Sequence, residues 1–232
     1  MLKNYIALVV TIIVLFFNVI SGNKNKAISD FHNLSFTPHS RTFAIWGIIY
    51  SLLLYCSIAN SEVFASEKIL LWYTLSGILN VMWLNVFLKC DKDKRSTHNH
   101  VKYAAGILIG ITVVTWKILT LVPCTNSIMK LCFGIYAAWT TVASMLNISI
   151  AMKENNQITD NALAKIVIGL VSVAPLITKL SSNINIKDSF AVPLTWIWAA
   201  FGIAINGNQV KGAYLPIITN IMVVISLIVQ SI

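Results

Sequence analysis

Trp46 and Tyr50, then Asn80 and Trp83, then Tyr136, Trp139, Ala143 and Asn147 are spaced three or four residues apart, each set inside a stretch otherwise apolar enough for lipid. An α-helix turns about 100° per residue, so this spacing gathers each set on one helical face. Thr42, Ser57 and Asn60 join the first face, and Trp72, Tyr73, Ser76 and Phe87 the second. Lipid offers amides and hydroxyls no partner, so faces bearing Asn80 or Asn147 turn toward other helices or a cavity. Taken singly, the polar groups read as interhelical glue and the tryptophans as packing or interfacial anchors, the preferred reading for Trp72 and Trp116. Three matched stripes instead describe the walls that a flat, mostly apolar ligand needs. The chemistry indicated is recognition, not bond breaking. Asp and Glu total eight and sit almost wholly between the apolar runs, so no carboxylate pair is placed in the membrane for acid/base work, and an enzyme is not expected.

The elements that hold these residues follow from composition. With 57% hydrophobic and 11% charged residues and a mean hydropathy of +0.76, a water-soluble fold would keep a largely apolar surface, so the chain reads as an integral membrane protein. Crossing a hydrocarbon layer of about 30 Å takes roughly 20 helical residues. Eight runs qualify, at 2–20, 42–60, 69–89, 101–122, 128–152, 162–180, 190–205 and 214–231. They are too long for the alternating strands of a barrel. The expected fold is all-α, a polytopic bundle of about eight helices in one membrane domain. The first run also resembles a secretory signal, with Lys3 before it and Ser21-Gly22 after it. Its apolar core from Tyr5 to Ile20 is long for a signal, and a retained helix is expected.

If the connections alternate sides, the first, third, fifth and seventh hold most of the 17 Lys and Arg residues, from Lys24, Lys26 and Arg41 to Lys211. That side should be cytoplasmic, with both termini opposite. The net charge of +9 is then a topology signal. Asp91 and Asp93 interrupt the densest basic cluster, at 89–95, and no aromatic stacks among its charges, so no nucleic-acid partner is expected.

At the aromatic stripes the chain resembles a known family. Pro38, Trp46 and Tyr50 keep the spacing of a motif running from a proline pair through a tryptophan to a Leu-Tyr pair. Leu79-Asn80-Val81-Met82-Trp83 with Phe87 is similar to a Leu-Asn-x-Ala-Trp-x-x-x-Phe segment, and the twelve residues from Tyr136 to Asn147 to a Tyr-x-x-Trp-x-Thr-x-Ala-Thr-x-Leu-Asn signature. This is the pattern of the translocator protein / tryptophan-rich sensory protein (TspO/MBR) family. The resemblance implies a five-helix core, residues 1–152, binding a porphyrin- or sterol-like molecule among its helices, often as a homodimer, with residues 153–232 adding three transmembrane helices. Carried over by position, Trp46, Asn80, Trp139 and Ala143 would line the cavity, with Tyr50, Trp83, Tyr136 and Asn147 in support and the loop before the second helix as a lid. The chain departs from the pattern where His39-Ser40 replaces Gly-Trp, Ala44 a helix proline, Leu84-Asn85 a Ser-Pro, and Ile135 the proline before Tyr. The lid tryptophan is therefore missing.

No cofactor is required on this reading, although a porphyrin or haem can be the ligand. Cys56, Cys90, Cys124 and Cys132 lack CxxC spacing and read as free thiols. His98-x-His100 reads as a solvated loop pair, so no metal site is expected. Lys117, inside the fourth run, is expected to snorkel to the interface. Gly106-x-x-x-Gly110 permits close helix contact, within the chain or with a second copy. The expected function is thus membrane binding or translocation of a hydrophobic aromatic or polycyclic molecule. The alternative is a small secondary transporter using all eight helices, which the sequence supports with no evident internal repeat. A tetrapyrrole-modifying activity stays open beside them. The topology is directly testable through the sequon Asn33-Leu34-Ser35 in the first connection. Expressed in a eukaryotic host, Asn33 should carry no glycan, because its connection is cytoplasmic; a glycan there inverts the orientation.

Overall fold

A computed structural model describes residues 2–59, 61–90, 97–154, 158–159, 162–170, 190–206 and 215–229. Asn60, Pro175 and the second half of the sixth run lie outside them. Among the described residues five helical segments are long and apolar enough to span a membrane: α1 (Leu2–Phe31), α2 (Ile45–Ala59) together with the 3-10 turn Ser40–Ala44 that leads into it, α3 (Glu67–Phe87), α4 (Thr97–Leu121) and α5 (Ser127–Glu154). Shorter helices follow, α6 over 162–170, α7 (Ala191–Asn206) and α8 (Leu215–Val229). No strand occurs among the described residues. The fold is an all-α bundle, with helix limits mostly within a few residues of the apolar runs.

The first five helices close into a ring. Helix α1 packs on α2, α2 on α5, α5 on α4, α4 on α3, and α3 back on α1. Helix α5 is the most enclosed of the spans and α1 the least. Val9, Ile13, Phe16 and Ile20 stand exposed along α1; their three- and four-residue spacing makes a lipid-facing stripe. Gly77 lets α1 and α3 approach closely, since a Cβ there would lie 2.5 Å from Val10. Outside the ring α7 lies on α5, and α8 on α7.

Helix α1 does not stop with its apolar run at Ile20. It continues to Phe31 through a polar stretch without proline, supported by the Lys26–Asp30 ion pair one turn apart. The extension adds roughly 16 Å at 1.5 Å per residue. Just beyond it, buried His32 sets one ring nitrogen 3.0 Å from Glu154 Oε1 and the other 2.9 Å from the Cys90 carbonyl. It joins the ends of α1, α3 and α5. Burial, with the Glu154 carboxylate adding, pushes the Cys90 thiol up to about 12, so this cysteine stays protonated and serves as packing.

Midway through the bundle two amides, Asn18 and Asn80, join four helices. Asn18 Nδ2 donates to Asn80 Oδ1 at 2.9 Å and to the Val14 carbonyl at 2.8 Å, while the Tyr50 hydroxyl donates to Asn18 Oδ1 at 2.8 Å. Asn80 Nδ2 reaches the Tyr136 hydroxyl at 3.5 Å. Further from the loops, Thr11 lies 2.6 Å from both Ser57 and Tyr73. Replacing Asn18 with Leu strands the Tyr50 hydroxyl and Asn80 Oδ1, and should lower the unfolding free energy in detergent by about 1–3 kcal/mol. Asn18→Leu combined with Asn80→Leu should cost less than the sum of the two, because both remove one network; strict additivity would show the contact to carry no coupling.

Candidate ligand-binding cavity

A cavity of about 580 Å³ opens inside the ring, above the Asn18 amide. Its depth follows the helices: Asp30, Lys26, Gly22 and Asn18 descend α1 through about 18 Å, and Phe43, Trp46 and Tyr50 descend the entry to α2. Across from them stand Phe87 and Trp83 of α3, with Ile150, Asn147, Leu146 and Ala143 on α5. Aromatic contacts fix both walls. Trp46 stacks on Tyr50, with centroids 5.6 Å apart and planes 20° from parallel, and Trp83 on Phe87 at 5.1 Å and 16°. Trp83 Nε1 donates to Asn147 Oδ1 at 3.3 Å, and Asn147 Nδ2 to the Ala143 carbonyl at 3.1 Å. The indole and the amide are thereby held in place. The interior is aromatic and aliphatic with hydrogen-bonded groups at its base, while the mouth is polar: Asn25, Lys26, Asp30, His32, Asn33 and His39.

Five of the eight residues singled out in the sequence line this space: Trp46, Tyr50, Trp83, Ala143 and Asn147. The other three stand behind the wall. Asn80 is buried in the Asn18 network, and Tyr136 meets the Trp46 ring at 6.2 Å, near perpendicular. Trp139 is fully buried against Phe43 at 5.6 Å and Trp46 at 6.3 Å, and its indole N–H has no partner among the described residues. Thr42, on the same predicted stripe as Trp46, turns instead toward α7, where Trp198 Nε1 donates to its carbonyl at 2.9 Å. Trp196, the other tryptophan of α7, donates to the Ala138 carbonyl at 3.1 Å. Neither tryptophan of α7 lines the cavity. Lys117 is exposed.

The sequence reading missed Asn18, Phe43, Leu146, Ile150, the polar end of α1, and Asn206 of α7, all of them lining residues. Asn18 had a legible signal, being the lone amide in the apolar core from Tyr5 to Ile20, with no water to satisfy it. The segment 37–43 does sit over the mouth, where the loop before the second helix was expected to act as a lid.

A family model described as TSPO-like protein matches residues 1–232. The chain belongs to the TSPO-like protein family. The match covers α6 to α8 as well as the five-helix ring, so the C-terminal third falls within the family's pattern although the three motifs all lie upstream of Met152. No curated protein and no solved structure matches the chain. Family membership and the five apolar spans make this an integral membrane protein of binding or translocator type. The half-buried Trp46 and the fully buried Trp139 separate by mutation. Trp139→Ala should cost about 3–5 kcal/mol of stability, as loss of a fully enclosed indole does. Trp46→Ala opens onto an existing cavity and should cost clearly less; equal shifts in thermal unfolding would place both rings in the same packed layer.

Proposed function

We propose that the chain holds a flat, largely apolar polycyclic molecule, porphyrin- or sterol-like, in the cavity ringed by α1, α2, α3 and α5, with the mouth toward the cytosol. The observation that carries this reading is the pairing of two aromatic stacks, Trp46–Tyr50 and Trp83–Phe87, on a space of about 580 Å³, within the roughly 300–1,000 Å³ of small-molecule sites. Aromatic faces recognise a flat apolar body by stacking and buried area together. The small Ala143 side chain leaves room for it, and the polar mouth suits a ligand with one hydrophilic edge. The cytosolic orientation rests on the basic connections, whose residues Lys26 and Asn33 stand at this mouth.

Titration of the purified protein with protoporphyrin IX and with a sterol, followed by tryptophan quenching, tests the reading. Trp46→Ala should weaken binding of the ligand that fits by about 1–3 kcal/mol. Ala143→Leu should weaken it too, by filling the space beside Trp83. Trp72→Ala, half-buried at the far end of α3, should change it little. Small and equal effects from all three folded variants would make the stripes structural and end the proposal.

A further inference from the structure

Helix α7 meets the segment over the cavity mouth through residues at one helical spacing. Trp198, Gly202 and Asn206 stand four apart and so share a face. Each satisfies or contacts the backbone of residues 37–42. Trp198 Nε1 donates to the Thr42 carbonyl at 2.9 Å, the His39 amide donates to the Gly202 carbonyl at 2.9 Å, and Asn206 Nδ2 donates to the Thr37 carbonyl at 2.9 Å. Gly202 is also the point of closest approach, since a Cβ there would run into the Thr42 side chain. On another face α7 is anchored to the bundle by Trp196, whose indole donates to the Ala138 carbonyl of α5. The same short segment turns Thr37, His39, Ser40 and Phe43 toward the cavity, and Asn206 itself reaches the mouth.

We infer that α7 is a working part of the ligand site: Trp198, Gly202 and Asn206 are positioning residues that latch the segment 37–44 over the cavity and thereby set how fast a ligand enters and leaves. The inference rests on the binding function proposed above. Residues 40–44 form a short 3-10 turn with backbone bonds of its own, and the three bonds to α7 are what tie this turn and the residues before it to another helix, so they hold the segment down over the cavity. Because Trp198, Gly202 and Thr42 stand off the cavity lining, the contact among them is present with the cavity full or empty. Weakening it raises entry and exit together and leaves the affinity nearly unchanged. A merely structural α7 would behave otherwise, lowering stability and affinity with no parallel rise in the two rates.

Stopped-flow quenching with protoporphyrin IX on the full chain reads the two rates, and hydrogen–deuterium exchange of segment 37–44 without ligand reads the latch alone. Trp198→Phe keeps the ring and removes one donor. It should raise both rates by about three- to tenfold, the worth of one neutral hydrogen bond, change the affinity by less than about twofold, and speed exchange at the His39 amide by a similar factor. Gly202→Ala should act in the same direction, and adding Thr42→Gly, which removes the side chain it meets, should bring both readouts back toward the parent. Unchanged exchange at His39 in folded Trp198→Phe and Gly202→Ala overturns the latch, as does a loss of affinity without faster entry. If the parent chain binds no porphyrin while His39 exchange accelerates as expected, the latch stands and the ligand assignment fails.

Discussion

A side-chain amide in hydrocarbon must find partners inside the protein, and this bundle is organised around that requirement at Asn18. One amide cannot be satisfied by a single neighbouring face, so it draws α2 and α3 onto α1, and Asn80 passes the connection on to Tyr136 of α5. The contact fixes the relative rotation of these helices, because turning any of them by one residue, about 100°, would carry its polar group to lipid. The cavity is a consequence. Above the amide layer the helices are held at a separation that large rings on α2 and α3 can line without meeting, and small Ala143 on α5 leaves the gap open.

Helix α5 is the second constraint. It touches α2, α4 and α7, and its hydroxyl-bearing side receives Thr112, Thr115 and Trp116 of α4 through Ser144, Thr140 and Thr141. Such short-reach bonds suit close helix packing in lipid, where no hydrophobic drive brings helices together. The buried ammonium of Lys130 at the start of α5 donates to the Leu119 carbonyl in the last turn of α4 at 3.0 Å, a favourable place for positive charge. One face of α5 is thus committed to α4, another supplies the cavity wall, and a third seats α7.

Most of the fold was legible, because apolar run length reports spans directly and the motifs reported the cavity-facing helices. What hydropathy reports, however, is contact with lipid. It went silent at Ile20, where α1 leaves the hydrocarbon, although the helix continues to Phe31. Helical spacing likewise tells which face a residue occupies but not its depth from the bundle axis. Trp46 and Trp139 are therefore indistinguishable in the sequence, while in the fold one lines the cavity and the other lies behind it. Asn18 was missed although Thr11 and Asn25, seven residues to either side, share its helical face. The part played by Asn206 rests on a partner, Thr37, 169 positions away, a relation that no local pattern encodes.

The overhang of α1 makes bilayer thickness a property of the site. Its apolar stripe ends near Ile20 and its polar mouth residues begin within two turns, at Asn25 and Lys26. The helix therefore has little tolerance for being drawn deeper into lipid. In a thicker membrane those residues would meet headgroups or acyl chains, and the bundle would have to tilt or thin the bilayer locally, at fractions of a kcal/mol per Å. A bilayer whose hydrocarbon thickness matches the run from Tyr5 to Ile20 leaves the mouth hydrated, so lipid composition would act on access to the cavity through the mouth residues Asn25 and Lys26 alone, with the aromatic walls below unchanged.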